Sequence, residues 1–298
     1  MIRFFRKLFG LARFHDPPEL AHRRYENAPA NKPPLPEDIA SEFMDWYEAQ
    51  RAPAILLTPD DTSEPDELGS RLFGPAWLAA GEGWPSDPEG TPLELIAQLN
   101  LAELPPLPPV PQTGLLQFFI ARDDHFGADF DDPAKGRFLV RHVLPGHDGA
   151  LHAPPPLALE PGRPFSDLSP VQSAESRTRG VALVAEPIDD RIDLSNKDAS
   201  DRFYAISGED CDMDVLYAQV DDADAERPLR HHVGGFPAFT QNDIRYMPAY
   251  ADYDFTLLRL TSDEYLQWGD VGECVFMIRS EDLVKGDFSR VAYSWDCH

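Results

Sequence analysis

The apolar residues of this chain occur in short runs that glycine, proline or charged residues interrupt. Short apolar runs bounded by turn residues are typical of β-strands, whereas long helices need sustained helical periodicity. The runs lie at 54–57, 115–120, 137–143, 181–184, 255–260 and 275–278. Strands and helices do not alternate regularly, which disfavours a doubly wound nucleotide-binding sheet. The pattern predicts an α+β fold with mostly antiparallel or mixed sheets.

Helical periodicity is confined to a few segments. Pro36, Glu37 and Asp38 supply the proline and the acids that favour a first helical turn. Phe43 and Tyr47 follow on one face, so we expect an amphipathic N-terminal helix over about residues 36–51, ahead of the sheet. Shorter helices are predicted over about 197–207 and 280–286.

A spacing that occurs twice in the chain predicts that the main domain is duplicated. Gly74 precedes Gln98 by 24 positions, and Gly235 precedes Arg259 by 24 positions as well. Two half-domains of like plan would produce this spacing, although chance would also do so. We therefore expect an arm and Pro-rich linker over residues 1–35, followed by one domain over 36–298. Its two related halves would span about 54–150 and 180–298.

The N-terminal arm has a basic stripe opposite an apolar one if it is wound as a helix. Arg3, the pair Arg6-Lys7, Gly10 and Arg13 follow one another at intervals of three or four residues among Ile, Phe and Leu. Charges interrupt the apolar run throughout, so the arm is not a secretory signal. It predicts either a peripheral contact with an anionic membrane surface or a first helix that docks on the domain.

The charge balance is strongly acidic. The chain has 52 Asp and Glu against 26 Lys and Arg, for a formal net charge of −26, with 42% hydrophobic residues. The apolar content excludes a disordered acidic tail. The charge argues against nucleic acid as the main ligand, because nucleic-acid binding needs a basic footprint. It predicts a basic protein partner, with an ordinary soluble acidic protein as the alternative.

The three cysteines, Cys211, Cys274 and Cys297, are far apart. No C-x-x-C pair occurs, which argues against a zinc ribbon or a redox dithiol. The odd number favours a reducing cytoplasm over a disulfide scaffold, so a cytoplasmic location is expected. No cofactor is predicted.

The strongest candidate for a small-ligand site surrounds the pair Gly234-Gly235. His232, Gln241 and Asp243 could converge there, and Gln98 and Arg259 occupy the two positions that end the repeated spacing. The alternative is a histidine that holds a turn by hydrogen bonds. The chain has no G-x-S-x-G, H-E-x-x-H, P-loop or G-x-G-x-x-G motif, so no catalytic residue is assigned and a binding role is favoured over an enzyme.

A weaker candidate is the acidic stretch that contains Asp129, Asp131 and Asp132. Hard divalent cations need several carboxylate oxygens that converge on one point. The spacing matches no calcium-binding loop, so the alternative is that these aspartates cap turns and stay solvated.

An ordered set of motifs resembles the YwqG-like family. The motifs include WP at 84–85, GTPLELIAQLNL at 90–101, TGLLQFF at 113–119, FGADFDDP at 126–133, HVGGFP at 232–237, WGDVG at 268–272 and WDCH at 295–298. Phe73-Gly74-Pro75 departs from the Gly-Gly pair usual in that family. The resemblance implies an α+β fold with an internal duplication and no established reaction. It also suggests a bacterial immunity or interaction protein.

Overall fold

The computed structural model describes residues 35–146, 148–156, 165–208 and 230–298. The N-terminal arm up to residue 34 and the segment 209–229, which contains Cys211, lie outside the described residues. The chain divides into two compact units. Within the described residues, one unit comprises 35–49, 197–208 and His298, and the other comprises the remainder.

The first unit contains two packed helices, α1 (Glu37–Ala49) and the later helix Lys197–Ser207. Two acids open α1, where they interact favourably with the helix dipole. Phe43 and Tyr47 of α1 are buried, and the ring of Phe43 meets Phe203 edge-on at 5.7 Å. Arg202 pairs with Glu42 at 3.0 Å across the same contact.

The second unit holds the β-sheets and two short helices. The strands are β1 (Arg51–Asp60), β2 (Arg71–Leu72), β3 (Ala76–Leu78), β4 (Glu94–Asn100), β5 (Leu115–Ile120), β6 (Phe138–Val143), β7 (Ala150–His152), β8 (Val181–Arg191), β9 (His231–Gly234), β10 (Phe255–Thr261), β11 (Glu273–Ile278) and β12 (Ala292–Asp296). The helices are α2 (Ala174–Arg179) and, after α3 (Lys197–Ser207) of the first unit, α4 (Ser280–Lys285).

Ten strands form one antiparallel sheet in the order β12-β11-β10-β9-β1-β8-β2-β4-β5-β6. The longest pairing is central: β1 and β8 run antiparallel over ten residue pairs, from Arg51 opposite Arg191 to Asp60 opposite Ala182. β2 then pairs with β8, and β9 pairs with β1. Each side of the central pair therefore carries four strands. β3 and β7 form a separate two-stranded sheet.

The sheet curls until its two edges approach each other, which makes it barrel-like and nearly closed. Phe118 of β5 and Phe138 of β6 lie 5.1 and 5.9 Å from the ring centroid of Phe276 on β11. Tyr293 of β12 stacks on Phe276 at 4.5 Å. The Tyr293 hydroxyl donates to the Phe126 carbonyl at 2.9 Å. Aromatic side chains thus join β5 and β6 to β11 and β12.

The predicted class is confirmed as α+β with mostly antiparallel strands. The N-terminal helix and the two shorter ones occur where periodicity indicated them, and every predicted strand is present. Most strand ends move by a few residues, but β8 runs to Arg191, well beyond its predicted end at 184. None of the helices in the described part of the chain is both long and apolar enough to cross a bilayer.

We expect Phe276→Ala to lower the free energy of unfolding by about 3–5 kcal/mol, because a buried ring would leave a cavity where the two ends of the sheet meet. Val284→Ala in the nearby helix α4 is the control, because that side chain is 71% exposed and its removal leaves no cavity. Chemical denaturation measures both. A loss below about 1 kcal/mol for Phe276→Ala would contradict this role of the aromatic contact.

Candidate functional site

Four polar side chains from adjacent strands lie together, with Arg259 as their one permanent cation. They are His232 of β9, Arg259 of β10, Glu273 of β11 and Asp296 of β12, which we name the β9–β12 polar cluster. His232 lies opposite Arg259 in the register, and Glu273 lies opposite Asp296. The Arg259 Nε donates to the Glu273 carboxylate, and its Nη1 lies 3.4 Å from His232 Nε2. His232 and Glu273 are buried.

The contacts of His232 identify its protonation state. Its Nδ1 lies 2.9 Å from the Gly234 carbonyl oxygen and must therefore donate. Its Nε2 faces the Arg259 guanidinium, which can only donate, so Nε2 carries no proton. Burial, assisted by the Arg259 charge, lowers the His232 pKa to about 3. His232 is thus a neutral imidazole at pH 7 with both ring nitrogens engaged within the protein.

The turn after His232 needs its two glycines. Gly234 and Gly235 have φ values of +73° and +67°, a left-handed conformation that other residues rarely adopt. A Cβ on Gly235 would come within 2.5 Å of the Asp190 carboxylate. That carboxylate accepts the Phe236 N–H at 2.9 Å, so the turn is held against β8.

The two acids of the cluster share one nearby cation. Burial raises the Glu273 pKa to about 7; Arg259 opposes this shift and Asp296 adds to it. Burial also raises the pKa of Asp296. The Asp296 carboxylate accepts backbone N–H groups of Thr240, Gln241 and Asn242 at 2.9, 2.8 and 3.2 Å. The cluster therefore fastens loop 236–243 to the end of β12.

Gln241 and Asp243 belong to the same loop but have different partners. The Gln241 side chain donates to the Cys297 carbonyl at 2.5 Å, beside Asp296. Asp243 caps the short 3-10 helix Ile244–Tyr246 and pairs with Arg245 at 2.6 Å. The structure brings His232 to Arg259 and Gln241 to Asp296, while Asp243 forms a separate buried ion pair.

Gln98 of β4 lies away from the β9–β12 polar cluster and contacts residues of β3 and β5. Its Oε1 accepts the Trp77 N–H at 3.2 Å and the Gln117 side-chain amide at 2.7 Å. Arg141 Nε then donates to Gln117 Oε1 at 2.7 Å, and the Arg141 guanidinium pairs with Glu82. Gln98 is completely buried, so this row is a satisfied polar network inside the sheet.

Sequence reasoning missed the partners that complete both networks. Glu273, Asp296, Gln117 and Arg141 stand within or at the ends of apolar runs, and Gln117 interrupts LLQFFI. A single polar residue within an apolar strand costs free energy when buried unless it has a partner. A polar residue inside an apolar strand therefore indicates that a polar partner exists. It does not identify that partner, which comes from a distant part of the chain.

The three aspartates proposed as metal ligands make turns. Asp129 Oδ1 accepts the N–H groups of Asp131 and Asp132, both at 3.0 Å. Asp132 pairs with Lys135 at 2.7 Å and accepts the Tyr250 hydroxyl. Within the described residues, no group of three or more His, Cys, Asp or Glu side chains is placed to hold a metal ion.

A loop at the end of β1 presents carboxylates to solvent. We name residues 60–67 the acidic loop; Asp61, Glu64, Asp66 and Glu67 are exposed on it. Buried Arg71 donates to the backbone carbonyls of Asp66 and Glu67, the latter at 2.8 Å. Because Arg71 uses backbone oxygens, it holds the loop without occupying its carboxylates.

Two further contacts shape the surface around the acidic loop. Tyr265 hydrogen-bonds to the Asp61 side chain and brings the exposed Glu264 to the same surface. Arg179 pairs with Glu64 at 2.7 Å. The acidic loop and Glu264 together form one negatively charged surface.

We expect Glu273→Gln to change how stability depends on pH. A carboxyl whose folded pKa is raised from 4.5 to about 7 contributes stability that is fully present below pH 4.5 and is lost as pH rises through 7. Wild type should therefore lose stability relative to Glu273→Gln across that interval. Denaturation at several pH values measures this, with exposed Glu89→Gln as the control. A wild-type advantage that is constant or grows with pH would contradict the raised pKa.

Comparison with known proteins gives one family. A family model with the description "Domain of unknown function (DUF1963)" matches residues 70–297. The matched segment extends from the start of β2 almost to the end of the chain, whereas α1 and β1 precede it. No match is found among the curated proteins. Because the family model covers most of the chain, the protein belongs to the DUF1963 family.

Proposed function

We propose that this protein is a non-enzymatic binding protein that docks an acidic face on a basic partner protein. The observation that carries this proposal is the acidic loop, which exposes carboxylates on a backbone that buried Arg71 holds in place. A preorganised surface loses less conformational entropy on binding than a flexible one. Its negative potential would attract a basic protein and accelerate its association.

The β9–β12 polar cluster favours binding over catalysis. His232 is neutral, and both its ring nitrogens have partners within the protein. Arg259, Glu273 and Asp296 pair with each other or hold loop 236–243. A ligand at His232, Gln241 and Asp243 would have to displace these contacts. The cluster therefore supports a role in stabilising this end of the sheet.

We further propose that the chain is a YwqG-like protein of the bacterial cytoplasm, built from two halves of like plan. Gln98 and Arg259 each lie in the second strand outward from the central β1–β8 pair. Gly74 follows β2 and Gly235 follows β9, which are the first strands outward from the central pair, and both glycines have positive φ. The same plan on both sides of β1–β8 supports duplication. The family resemblance and the acidic face together support an immunity or interaction role.

The test is a matched pair of triple variants with equal net charge. Asp66→Asn, Glu67→Gln and Glu264→Gln together remove three of the five exposed carboxylates of the acidic face, which comprises the acidic loop and Glu264. Glu89→Gln, Glu175→Gln and Glu281→Gln neutralise three exposed acids elsewhere in the second unit. The full chain is used to capture proteins from an extract of its source cells, and each captured protein is purified and titrated. We expect a basic protein that binds wild type and the scattered variant alike, but binds the acidic-face variant at least about tenfold more weakly.

Salt dependence provides the second measurement. Binding of the captured protein should weaken steeply as ionic strength rises from about 0.05 to 0.5 M, and less steeply for the acidic-face variant. Equal binding by both triple variants, a complex insensitive to salt, or the absence of any basic captured protein would each refute the proposal.

A further inference from the structure

Strand β6 is an open edge of the ten-stranded sheet. Within the described residues it pairs with β5 alone. The Ala121 N–H donates to the Arg137 carbonyl at 2.7 Å, which sets the alternation of the ladder. Leu139 and Arg141 therefore direct their backbone groups to β5. The backbone N–H and C=O groups of Phe138, Val140 and His142 point away from it.

A cleft of about 450 Å³ runs along that open edge. Phe138, Val140 and His142 line one side, and Phe288, Ser289 and Val291 line the other. The cleft thus lies on the side of β6 toward which the backbone N–H and C=O groups of Phe138, Val140 and His142 point. Its walls combine apolar side chains with an unpaired strand edge, which is the combination that extended peptides use when they add a strand to a sheet.

Three of the eight exposed large apolar side chains of the described residues lie in or next to the segments that line the cleft. Leu144 directly follows β6 and is 70% exposed, and Val284, just before the segment that forms the opposite wall, is 71% exposed. They are the most exposed large apolar residues in the described part of the chain. Leu139 within β6 is also exposed. Single exposed apolar residues are ordinary, but a group beside an open edge indicates an interaction surface.

Four exposed cationic side chains adjoin in sequence the residues that line the cleft, although the chain as a whole is acidic. Lys135 and Arg137 precede β6, and Lys285 and Arg290 flank the opposite wall. All four cations are ion-paired, but their partners Asp132, Asp123 and Asp282 are at most 35% exposed, whereas the cations are 48–77% exposed. Glu281, which is 62% exposed, also pairs with Lys285. Asp287 is the one acid between residues 284 and 291, and its carboxylate accepts the N–H and hydroxyl of Ser289.

We propose that this edge binds an extended acidic segment of another protein, which adds a strand beside β6. Its alternate apolar side chains would enter the cleft between Phe138 and Phe288, and its carboxylates would meet the four exposed cations. Main-chain hydrogen bonds to Val140 and its neighbours would hold the segment in register. This site is independent of the acidic loop, which would bind a basic surface.

The experiment uses the full chain and synthetic seven-residue peptides whose concentration is kept below self-association. We expect acetyl-EVEVEVE-amide to bind, measured by calorimetry, at least about tenfold more tightly than acetyl-KVKVKVK-amide, and its binding to weaken with salt. A peptide with proline in place of the central valine should bind much more weakly, because it lacks one strand hydrogen bond.

Two pairs of variants locate the peptide. Val140→Pro removes an N–H that faces the cleft, while Val140→Ala keeps it; both replace a buried side chain, so the two variants are compared with each other. Ser289→Trp fills the cleft at an exposed position, while Ser289→Ala leaves it open. Thermal unfolding checks that each variant folds. We expect Pro and Trp to weaken binding at least about tenfold, and the alanine variants to stay within about threefold of wild type.

Several outcomes would overturn the proposal. These are no binding of the acidic peptide, equal binding of the lysine peptide, or binding that survives both Val140→Pro and Ser289→Trp. Self-association of the protein that Val140→Pro abolishes would instead assign the edge to a second copy. The acidic-face triple variant should bind the peptide like wild type, so failure here and failure of the proposed function are distinguishable.

Discussion

The central pairing of β1 with β8 is the interaction on which the sheet depends. Its ten residue pairs place two strands from distant parts of the chain side by side. The strands that follow cross over: β2 attaches to β8 rather than β1, and β9 attaches to β1 rather than β8. The strands β9–β12 therefore attach to β1, which comes early in the sequence, and β2 and β4–β6 attach to β8, which comes later. Neither group joins the sheet without the central pair.

This crossing explains which parts of the fold were predictable. Apolar runs and their flanking turn residues identified the strands near 115–120 and 275–278, because those patterns are local. Strand β8 extends to Arg191, beyond the predicted end at residue 184, although its second half is polar. The partner strand β1, not local apolarity, maintains that extension. Strand order and the curling of the sheet depend on contacts between distant residues and could not be read from periodicity.

In the candidate site, too, the sequence identified individual residues but not the distant residues that contact them. The sequence singled out His232 and Arg259, and the structure places them opposite each other on neighbouring strands. It could not show that Arg259 also binds Glu273, which determines what the histidine can do. With a guanidinium at Nε2, His232 stays neutral and serves to hold a turn. Chemistry at a buried polar residue therefore follows from its partner more than from its own identity.

The way the sheet curls accounts for the open edge at β6. Its two ends approach mainly through side chains such as Phe138 and Tyr293, with ring centroids 5.4 Å apart. The Tyr293 N–H donates to the Pro133 carbonyl, ahead of β6, so that bond does not use the outward backbone groups of the strand. Exposed cations beside a sheet edge oppose pairing with an identical edge, because like charges would face each other. The same cations favour an acidic strand, so protection against self-association and selection of a partner follow from one arrangement of charge.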